Sequence, residues 1–282
     1  MRVITLVENR PNPSDPALVA EWGLSLYIEI GGRRVLVDMG ASDAFARNAR
    51  KLGIDIATID AAILSHHHYD HGGGLRRFLE LNASANVFIG DLPAGQPTAR
   101  VFGLLKRNIG LDQSLFEQYA DRFRFVRERT DVVPGVFVLP NIGGEHPRPS
   151  GNKVLFLRKD GTYVPDAFRH EIVVALRERD SLVVLTGCSH NGLVNMVETV
   201  TREFPGLPIK AVVGGFHLIA LPPFNRMSDS EAVVADIGRS VLDLGVGTTY
   251  TGHCTGTKAF EVLRHAMGAR VQEIHTGSLL EL

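Results

Sequence analysis

The sequence is poor in several residue types, and each shortage excludes a class of protein. Only two cysteines, Cys188 and Cys254, occur among 282 residues, so a disulfide framework is excluded, although a single bridge is not. No apolar run approaches the roughly 18 residues of a membrane span, and no basic-then-apolar leader opens the chain. We therefore expect a cytoplasmic protein with reduced thiols and no membrane partner.

The sequence also lacks an excess of charge of either sign. Lys and Arg total 30 and Asp and Glu total 31, which gives a formal charge of -1. This balance provides no general attraction to nucleic acid, and no basic domain is appended, so we expect no nucleic-acid partner. P-loop, dinucleotide-binding and serine-hydrolase motifs are missing as well. Hydrophobic residues make up 44%, which is ample for a core and excludes disorder as the main state.

The order of the predicted elements indicates a mixed α/β protein. Strands are predicted at residues 3–7, 24–30 and 34–38, with a Gly-Gly hairpin turn between the last two. Further strands are predicted at residues 59–64, 86–89, 154–158, 171–177, 182–186, 209–213, 248–250 and 271–274. Helices are predicted at residues 43–52, 75–81, 192–204, 230–244 and 258–267. This pattern favours two sheets with helices outside, in one domain over residues 1–282.

Residues 91–150 differ from the rest of the chain because prolines and glycines interrupt them repeatedly. We predict a loop-rich insertion there, with one helix near residues 114–119. Long irregular insertions in compact domains often act as lids over a site. A surface elaboration without function explains the composition equally well, so both interpretations stay open.

The strongest chemical signal is a cluster within the chain's 11 histidines. In an extended segment, residues i and i+2 point the same way, so His66 and His68 aim at one point. The chain then turns, and Asp70 and His71 aim at a second point nearby. Imidazole and carboxylate groups suit Zn, Fe, Mn or Ni, and the glycines at 72–74 let the backbone turn tightly. A polar turn that merely happens to be histidine-rich explains four ligating side chains in six residues poorly.

Three more histidines follow predicted strands. His190 and His253 each lie in a short Gly-containing turn between a strand and a helix, and His217 lies at the end of the strand segment 211–218. His217 is a candidate catalytic residue, either as a proton donor near a leaving group or as a substrate contact, because a neutral imidazole suits both roles. The alternative for His217 is a histidine that only caps a strand end.

The motif His66-x-His68-x-Asp70-His71 resembles the signature of the metallo-β-lactamase fold superfamily. The resemblance implies an α/β (α+β) fold, a four-layer αβ/βα sandwich whose two mixed β-sheets carry outer helices. It also implies that the histidine-bearing strand ends converge on a paired metal site at one edge. The implied ligands are His66, His68 and His190 for the first ion and Asp70, His71 and His253 for the second. Two divalent ions are expected, with Zn favoured and Mn or Fe as alternatives.

Two further residues near the implied site carry expectations. Asp38 lies in an Asp-x-Gly sequence at a strand end, and the resemblance implies that it orients a metal-ligating side chain without binding the metal itself. Such sequences are also common in turns. Many members of the superfamily carry a bridging Asp where this chain has Cys188, just after the strand at 182–186. A thiolate bridge, a water bridge and a single-metal site all remain open, and so does a Cys188 that only packs.

A wider set of motifs narrows the resemblance to a subgroup that includes 7,8-dihydropterin-6-methyl-4-(β-D-ribofuranosyl)aminobenzene 5′-phosphate synthases. These motifs are Glu8-Asn9 and residues 65–74, 186–192, 214–218 and 252–256. We expect a metal-dependent hydrolase that uses a metal-bound hydroxide, with Asp70 and His217 in catalytic roles, on a small anionic, phosphoester-like substrate. A transferase of the synthase type is the first alternative. A mononuclear iron oxygenase or redox protein, motivated by Cys188, is the second, and the complete ligand set argues against a non-catalytic binding module.

The remaining polar residues carry weaker expectations. We interpret His67, His265 and His275 as structural and expect His146 and His170 at the surface. Cations that hint at an anionic substrate are Arg10, Lys106, Arg107, Arg148 and Lys153, although a solvated face is the default role for most of them. The oligomeric state stays open, with a homodimer as the commonest assembly.

Overall fold

The computed structural model describes residues 1–101, 105–221 and 226–282. Within these ranges the fold consists of short strands and seven α-helices. The strands in these ranges are β1 Arg2–Val7, β2 Ser25–Ile30, β3 Arg33–Val37, β4 Ala61–Leu64, β5 Asn86–Gly90, β6 Gln96–Val101, β7 Leu105–Asn108, β8 Phe123–Val126, β9 Thr130–Val133, β10 Val136–Leu139, β11 Leu155–Lys159, β12 Thr162–Pro165, β13 Val173–Glu178, β14 Ser181–Leu185, β15 Ile209–Gly214, β16 Ile219–Leu221, β17 Arg226–Met227, β18 Thr248–Thr251, β19 Val271–Glu273 and β20 Leu279–Glu281. The α-helices are α1 Ala44–Lys51, α2 Tyr69–Gly72, α3 Leu75–Leu81, α4 Ser114–Gln118, α5 Leu193–Glu203, α6 Glu231–Asp243 and α7 Thr257–Met267. Within the described ranges, none of the helices has the length and apolar character that crossing a bilayer requires.

Two seven-stranded sheets form the centre of the molecule. The first has the order β20-β1-β2-β3-β4-β5-β8, and the second has the order β19-β18-β15-β14-β13-β10-β9. In the first sheet β3, β4, β5 and β8 run parallel, and in the second β14, β15, β18 and β19 do so. The carboxyl ends of parallel strands lie at one edge of a sheet, which is where ligands bind in such sheets. A smaller sheet, β12-β11-β6-β7, and the β16-β17 pair complete the described strands.

The alternation of side chains along each strand produces the layers. Val35 and Val37 on β3 face the apolar core between the two sheets, while Leu36 faces the core under the helices α1 and α3. On β14, Val183 faces the core between the sheets and Val184 faces the core under α5, α6 and α7. The strands are therefore covered on both faces, as parallel strands require. The resulting four layers confirm the αβ/βα sandwich expected from the sequence.

The structure agrees with the predicted hairpin and with the strand and helix alternation of the last hundred residues. It differs within residues 91–150, of which 102–104 lie outside the described residues. This segment is more than a loop-rich insertion, because β8 extends the first sheet and β9 and β10 extend the second. Each of these three strands has only four residues, which is too short for a period-two pattern to emerge between the prolines and glycines.

The glycines at 72–74 serve close packing rather than an unusual turn. Gly73 has φ -62 and ψ -31, an ordinary helical conformation, so the expectation of a glycine-dependent turn was wrong. A Cβ atom on Gly73 would instead lie 2.2 Å from the carbonyl oxygen of Ala41, and one on Gly74 would lie 2.3 Å from that of Met39. Because Gly73 and Gly74 have no side chains, the chain after β3 lies directly against the segment that follows β4.

Candidate metal centre

The candidate site forms where four parallel strands end. The segment with His66, His68, Asp70 and His71 follows β4 in the first sheet, and the turns after β14, β15 and β18 come from the second sheet. Because the two sheets face each other, their carboxyl ends lie at a common edge. The structure thus brings together ligands that are far apart in sequence.

Three histidines form a first triad. The ring nitrogens of His66, His68 and His190 that face each other lie within 4.8 Å of one another, and all three side chains are buried. The Nε2 atom of each ring has no hydrogen-bond partner among the described residues. Buried polar atoms without partners are costly, so three of them converging on one point fit a bound cation. Neutral imidazole is also the commonest protein ligand for such ions.

In two of these three rings, the other nitrogen, Nδ1, is held in place by a hydrogen bond. His66 Nδ1 is hydrogen-bonded to Ser65 Oγ at 2.9 Å, and His190 Nδ1 is hydrogen-bonded to Asn152 Oδ1 at 2.9 Å. Such partners fix the ring orientation and the tautomer that leaves Nε2 free for a metal. The Asn152 side chain also donates to the backbone carbonyl of His190 at 2.7 Å.

Asp70, His71 and His253 form a second triad beside the first. His71 Nε2 lies 3.1 Å from His253 Nε2, and His253 Nε2 lies 3.5 Å from Asp70 Oδ2. His253 Nδ1 is hydrogen-bonded to Asn9 Oδ1 at 3.0 Å, so this ring is oriented in the same way as those of the first triad. Trp22 Nε1 donates to Asp70 Oδ2 at 2.9 Å. Two imidazoles and a carboxylate are a suitable set for a divalent ion.

Asp38 lies behind both triads. Its Oδ2 atom accepts from His71 Nδ1 at 2.6 Å and from Ser65 Oγ at 2.7 Å, and its Oδ1 atom accepts from the Ser65 backbone N–H at 2.8 Å. Since Ser65 Oγ also contacts His66, one buried carboxylate is connected to a ring of each triad. The structure therefore places Asp38 where a residue that orients ligands has to be.

Burial and neighbouring charges set the protonation of these rings. Burial, together with the adjacent imidazoles, lowers the pKa of His66, His68 and His190 well below the ordinary 6.5. Burial lowers the pKa of His253 to about 3. Burial alone would also lower the pKa of His71, but the Asp38 carboxylate outweighs it and raises that pKa to about 9. In the metal-free protein at pH 7, the first triad therefore presents neutral rings, whereas His71 carries a proton that a metal must displace.

A cavity of about 650 Å³ opens next to the triads. Its walls are mostly apolar, with the aromatic rings of Trp22, Tyr69 and Phe260 among them. Its charged lining residues include Arg107 and the ion pair of Arg10 with Glu273. This composition is typical of small-molecule sites, where apolar surface supplies contact area and a few polar groups fix orientation. Of the other cations named from the sequence, Lys106 stacks on Tyr163, Arg148 donates to a backbone carbonyl, and Lys153 is not among the lining residues.

His217 and the two cysteines also line this cavity. The His217 ring lies 4.1 Å from the His190 ring, centroid to centroid, and both of its buried nitrogens lack a partner among the described residues. Cys188 Sγ lies 3.1 Å from His71 Nε2. Cys254 Sγ accepts the His217 backbone N–H at 3.2 Å. His217 and Cys188 thus contact rings of the triads, and Cys254 Sγ lies within 4.8 Å of a His253 ring nitrogen.

The remaining histidines fall outside the triads. His170 was expected at the surface and this was wrong, because its side chain is only 2% exposed and its Nε2 pairs with Asp166 Oδ2 at 3.1 Å. Its Nδ1 accepts the backbone N–H of His67, which is itself buried and hydrogen-bonded to the Gly90 carbonyl. His146 is partly exposed and pairs with Glu198. The rings of His265 and His275 bond only backbone carbonyl groups in the described contacts.

Several residues around the site gave no sequence signal as site residues. Trp22, Asn152, Asp166 and Glu171 lie in segments without a motif, and their contacts join positions far apart along the chain. The Glu171 carboxylate, for example, accepts the backbone N–H groups of His190 and Asn191 at 2.8 and 2.7 Å. Only an alignment or a structure could have identified them.

Comparison with known proteins places the chain in a family. A model of the metallo-β-lactamase superfamily matches residues 23–151. The chain is 30% identical to the 7,8-dihydropterin-6-methyl-4-(β-D-ribofuranosyl)-aminobenzene-5′-phosphate synthase of Methanocaldococcus jannaschii, over 100% of this chain and 96% of that protein. It is also similar to the solved structure of a metal-dependent hydrolase of the β-lactamase superfamily, with 30% identity, a TM-score of 0.82 and coverage of 100% and 99%.

A more distant likeness concerns the fold alone. The structure of Zn²⁺-bound PqqB from Methylobacterium extorquens matches with a TM-score of 0.58 at 14% identity, over 100% of both chains. The same architecture thus persists where most of the sequence has diverged. Three findings agree: the family-model match, the 30% identity to the synthase over the whole chain, and the similarity to the hydrolase structure. This chain therefore belongs to the metallo-β-lactamase superfamily, an enzyme superfamily.

Proposed function

We propose that the protein is a metal-dependent hydrolase that cleaves a phosphoester or related bond of a small anionic substrate. The observation that carries this proposal is the pair of adjacent triads, both connected to Asp38, beside an open cavity. When divalent ions are bound, they supply a nucleophile from water at neutral pH and stabilise negative charge on a phosphoryl or carbonyl oxygen. We favour Zn, because the ligands are mainly imidazoles.

The chain's own residues have distinct roles in this proposal. Trp22, Tyr69 and Phe260 bind the apolar part of the substrate, while Arg107 attracts its negative charge. His217 lies on the cavity wall, and its two buried nitrogens have no partner in the part of the chain that the structure describes, so it can hold a proton and deliver it to the leaving group. Asp70 stays oriented by the Trp22 N–H.

The test compares His68→Ala with the wild type. His68 contributes a first-triad ligand, so we expect the variant to lose bound metal and its activity to fall by more than about 100-fold. Mutation of residues that only hydrogen-bond to metal ligands already lowers metal affinity or activity by roughly 10–100-fold. Metal content is measured by elemental mass spectrometry on untagged protein, and activity on a panel of phosphomonoesters, phosphodiesters, lactones and thioesters. Far-ultraviolet circular dichroism checks that the fold survives.

His265→Ala is the matched control, because His265 lies exposed on α7 and contacts no ligand. We expect it to keep both metal and activity. Full activity in His68→Ala would contradict the proposal. One iron per chain in the wild type, with oxygen consumption, would instead support the mononuclear iron alternative.

A transferase of the synthase type is the second candidate. Identity to the synthase extends over the whole chain, and the cavity is larger and more apolar than a phosphate alone needs. In such a reaction an aromatic amine replaces water as the nucleophile and a metal-held pyrophosphate leaves. Product formation from the pyrophosphate ester of 6-hydroxymethyl-7,8-dihydropterin, with and without 4-(β-D-ribofuranosyl)aminobenzene 5′-phosphate, separates transfer from hydrolysis.

A further inference from the structure

The sulfur atom of Cys188 occupies a central position between the two triads. Its Sγ lies within 4.8 Å of the ligand nitrogens of His66 and His190 in the first triad. It also lies within 4.8 Å of those of His71 and His253 in the second, with His71 Nε2 at 3.1 Å. A side chain that only filled space would need no such position, close to candidate ligand atoms of both triads.

The backbone around Cys188 is shaped to allow this approach. Gly187 precedes it, and a Cβ atom there would lie 2.1 Å from Ser65 Oγ and 3.2 Å from His66 Nδ1. The absent side chain lets the turn after β14 lie directly against the first ligands. Cys188 is 3% exposed, yet it lines the cavity, so its sulfur faces the place that a metal and a substrate would share.

We propose that Cys188 is a metal ligand shared by the two ions, bound through its deprotonated sulfur. This inference rests on the proposed metal-dependent function and adds an anionic ligand between triads that otherwise hold five imidazoles and one carboxylate. A thiolate sulfur has enough lone pairs to bind two ions at once. It also biases the centre toward Zn and other thiolate-binding ions and away from Mn and Mg, which favour oxygen ligands.

The test is a titration of metal-free protein with Co²⁺ alone, because a cobalt–thiolate bond produces a charge-transfer band in the near ultraviolet. We expect the band in the wild type to grow until two equivalents per chain have bound. It should disappear in Cys188→Ser and persist in Cys254→Ser. Cys254 is the matched control, since it is the other buried thiol at the same cavity.

The Cys254→Ser titration is decisive even if Cys188→Ser fails to fold. The chain has two cysteines, so any thiolate band in Cys254→Ser comes from Cys188. Two bound cobalt ions without a band would overturn the inference and leave the proposed function standing. Loss of the band in Cys254→Ser, or a band complete at one equivalent, would also overturn it. Failure to bind cobalt at all would overturn both.

Discussion

At the scale of single residues, half of the eight described non-glycine residues with positive φ lie around the triads. Asp38, Ser189, His217 and His253 have φ values of 59, 60, 48 and 48, in the left-handed region that non-glycine residues rarely adopt. Each such residue costs on the order of 1 kcal/mol and persists only where its surroundings hold it. All four adjoin or belong to the candidate centre, which indicates that the fold gives up stability to fix these side chains.

Asp38→Asn should weaken metal binding without removing a ligand. The two carboxylate oxygens of Asp38 accept three hydrogen bonds, whereas the amide has one oxygen and an NH2 group that faces a donor instead of accepting from it. The charge that favours a basic His71 is lost as well. We expect the affinity of the weaker site for Zn²⁺ to fall by roughly 10–100-fold. Competition with a chromophoric chelator measures this affinity.

Asp166→Asn provides the control for Asp38→Asn. Asp166 is also buried and also pairs with a histidine, but its partner His170 belongs to neither triad. We expect its Zn²⁺ affinity to stay within about threefold of the wild type, because removing it changes no ligand ring. Equal losses in both variants would show that Asp38 supports the fold in general and not the ligands.

At this scale the sequence indicated the members of the two triads better than the residues that hydrogen-bond to them. His66, His68, Asp70 and His71 lie within six residues, so their spacing alone indicated a site. Asn152 acts through a contact with His190, 38 positions away, and such a pair leaves no local pattern. His170 was misplaced for the same reason, since only the tertiary structure buries it.

At the scale of elements, the turn after β14 depends on a single buried carboxylate. Glu171 accepts from the His190 and Asn191 backbone N–H groups and from Asn191 Nδ2. Glu171→Gln replaces one acceptor oxygen by a donor that faces an N–H group. We therefore expect the free energy of unfolding to fall by about 1–3 kcal/mol, measured by urea denaturation of the metal-free protein.

Glu198→Gln tests whether this loss is specific to the turn. Glu198 pairs with His146 in a partly exposed ion pair, and such pairs contribute less than about 1 kcal/mol. A loss in Glu171→Gln no larger than in Glu198→Gln would refute the role given to Glu171.

The strands and helices of the last hundred residues could be predicted from the sequence, because they are long enough to show their periodicity. The strands β8, β9 and β10 could not be predicted, because each has only four residues.

At the scale of the whole molecule, ionisation of the buried histidines controls stability in the absence of metal. Burial lowers the pKa of His67 and of His253 to about 3, and those of His66, His68 and His190 also fall. The unfolded chain binds protons at these rings below pH 6.5 whereas the folded chain does not, so stability decreases as pH falls from 6.5 toward 3.

His71 has the opposite effect because its folded pKa is raised to about 9. The contribution of His71 to the free energy of unfolding is fully present below pH 6.5 and is lost as pH rises through 9. We therefore expect the urea midpoint of the metal-free protein to be highest near pH 6.5. It should fall more steeply on the acid side, because five rings with a lowered pKa destabilise the fold there, whereas His71 alone does so on the alkaline side. A midpoint that rises steadily from pH 6.5 to 9 would contradict this assignment for His71.

The distribution of ligands along the chain has a consequence for the order of folding. Residues 66–71 supply four of the six candidate ligands from the first sheet, but His190 and His253 follow β14 and β18 of the second. During synthesis, the early segment leaves the ribosome long before either partner exists, and alone it would hold an ion only as a loose chelate. Complete coordination through both triads would have to wait until the two sheets have packed, so we expect metal uptake to mark the end of folding.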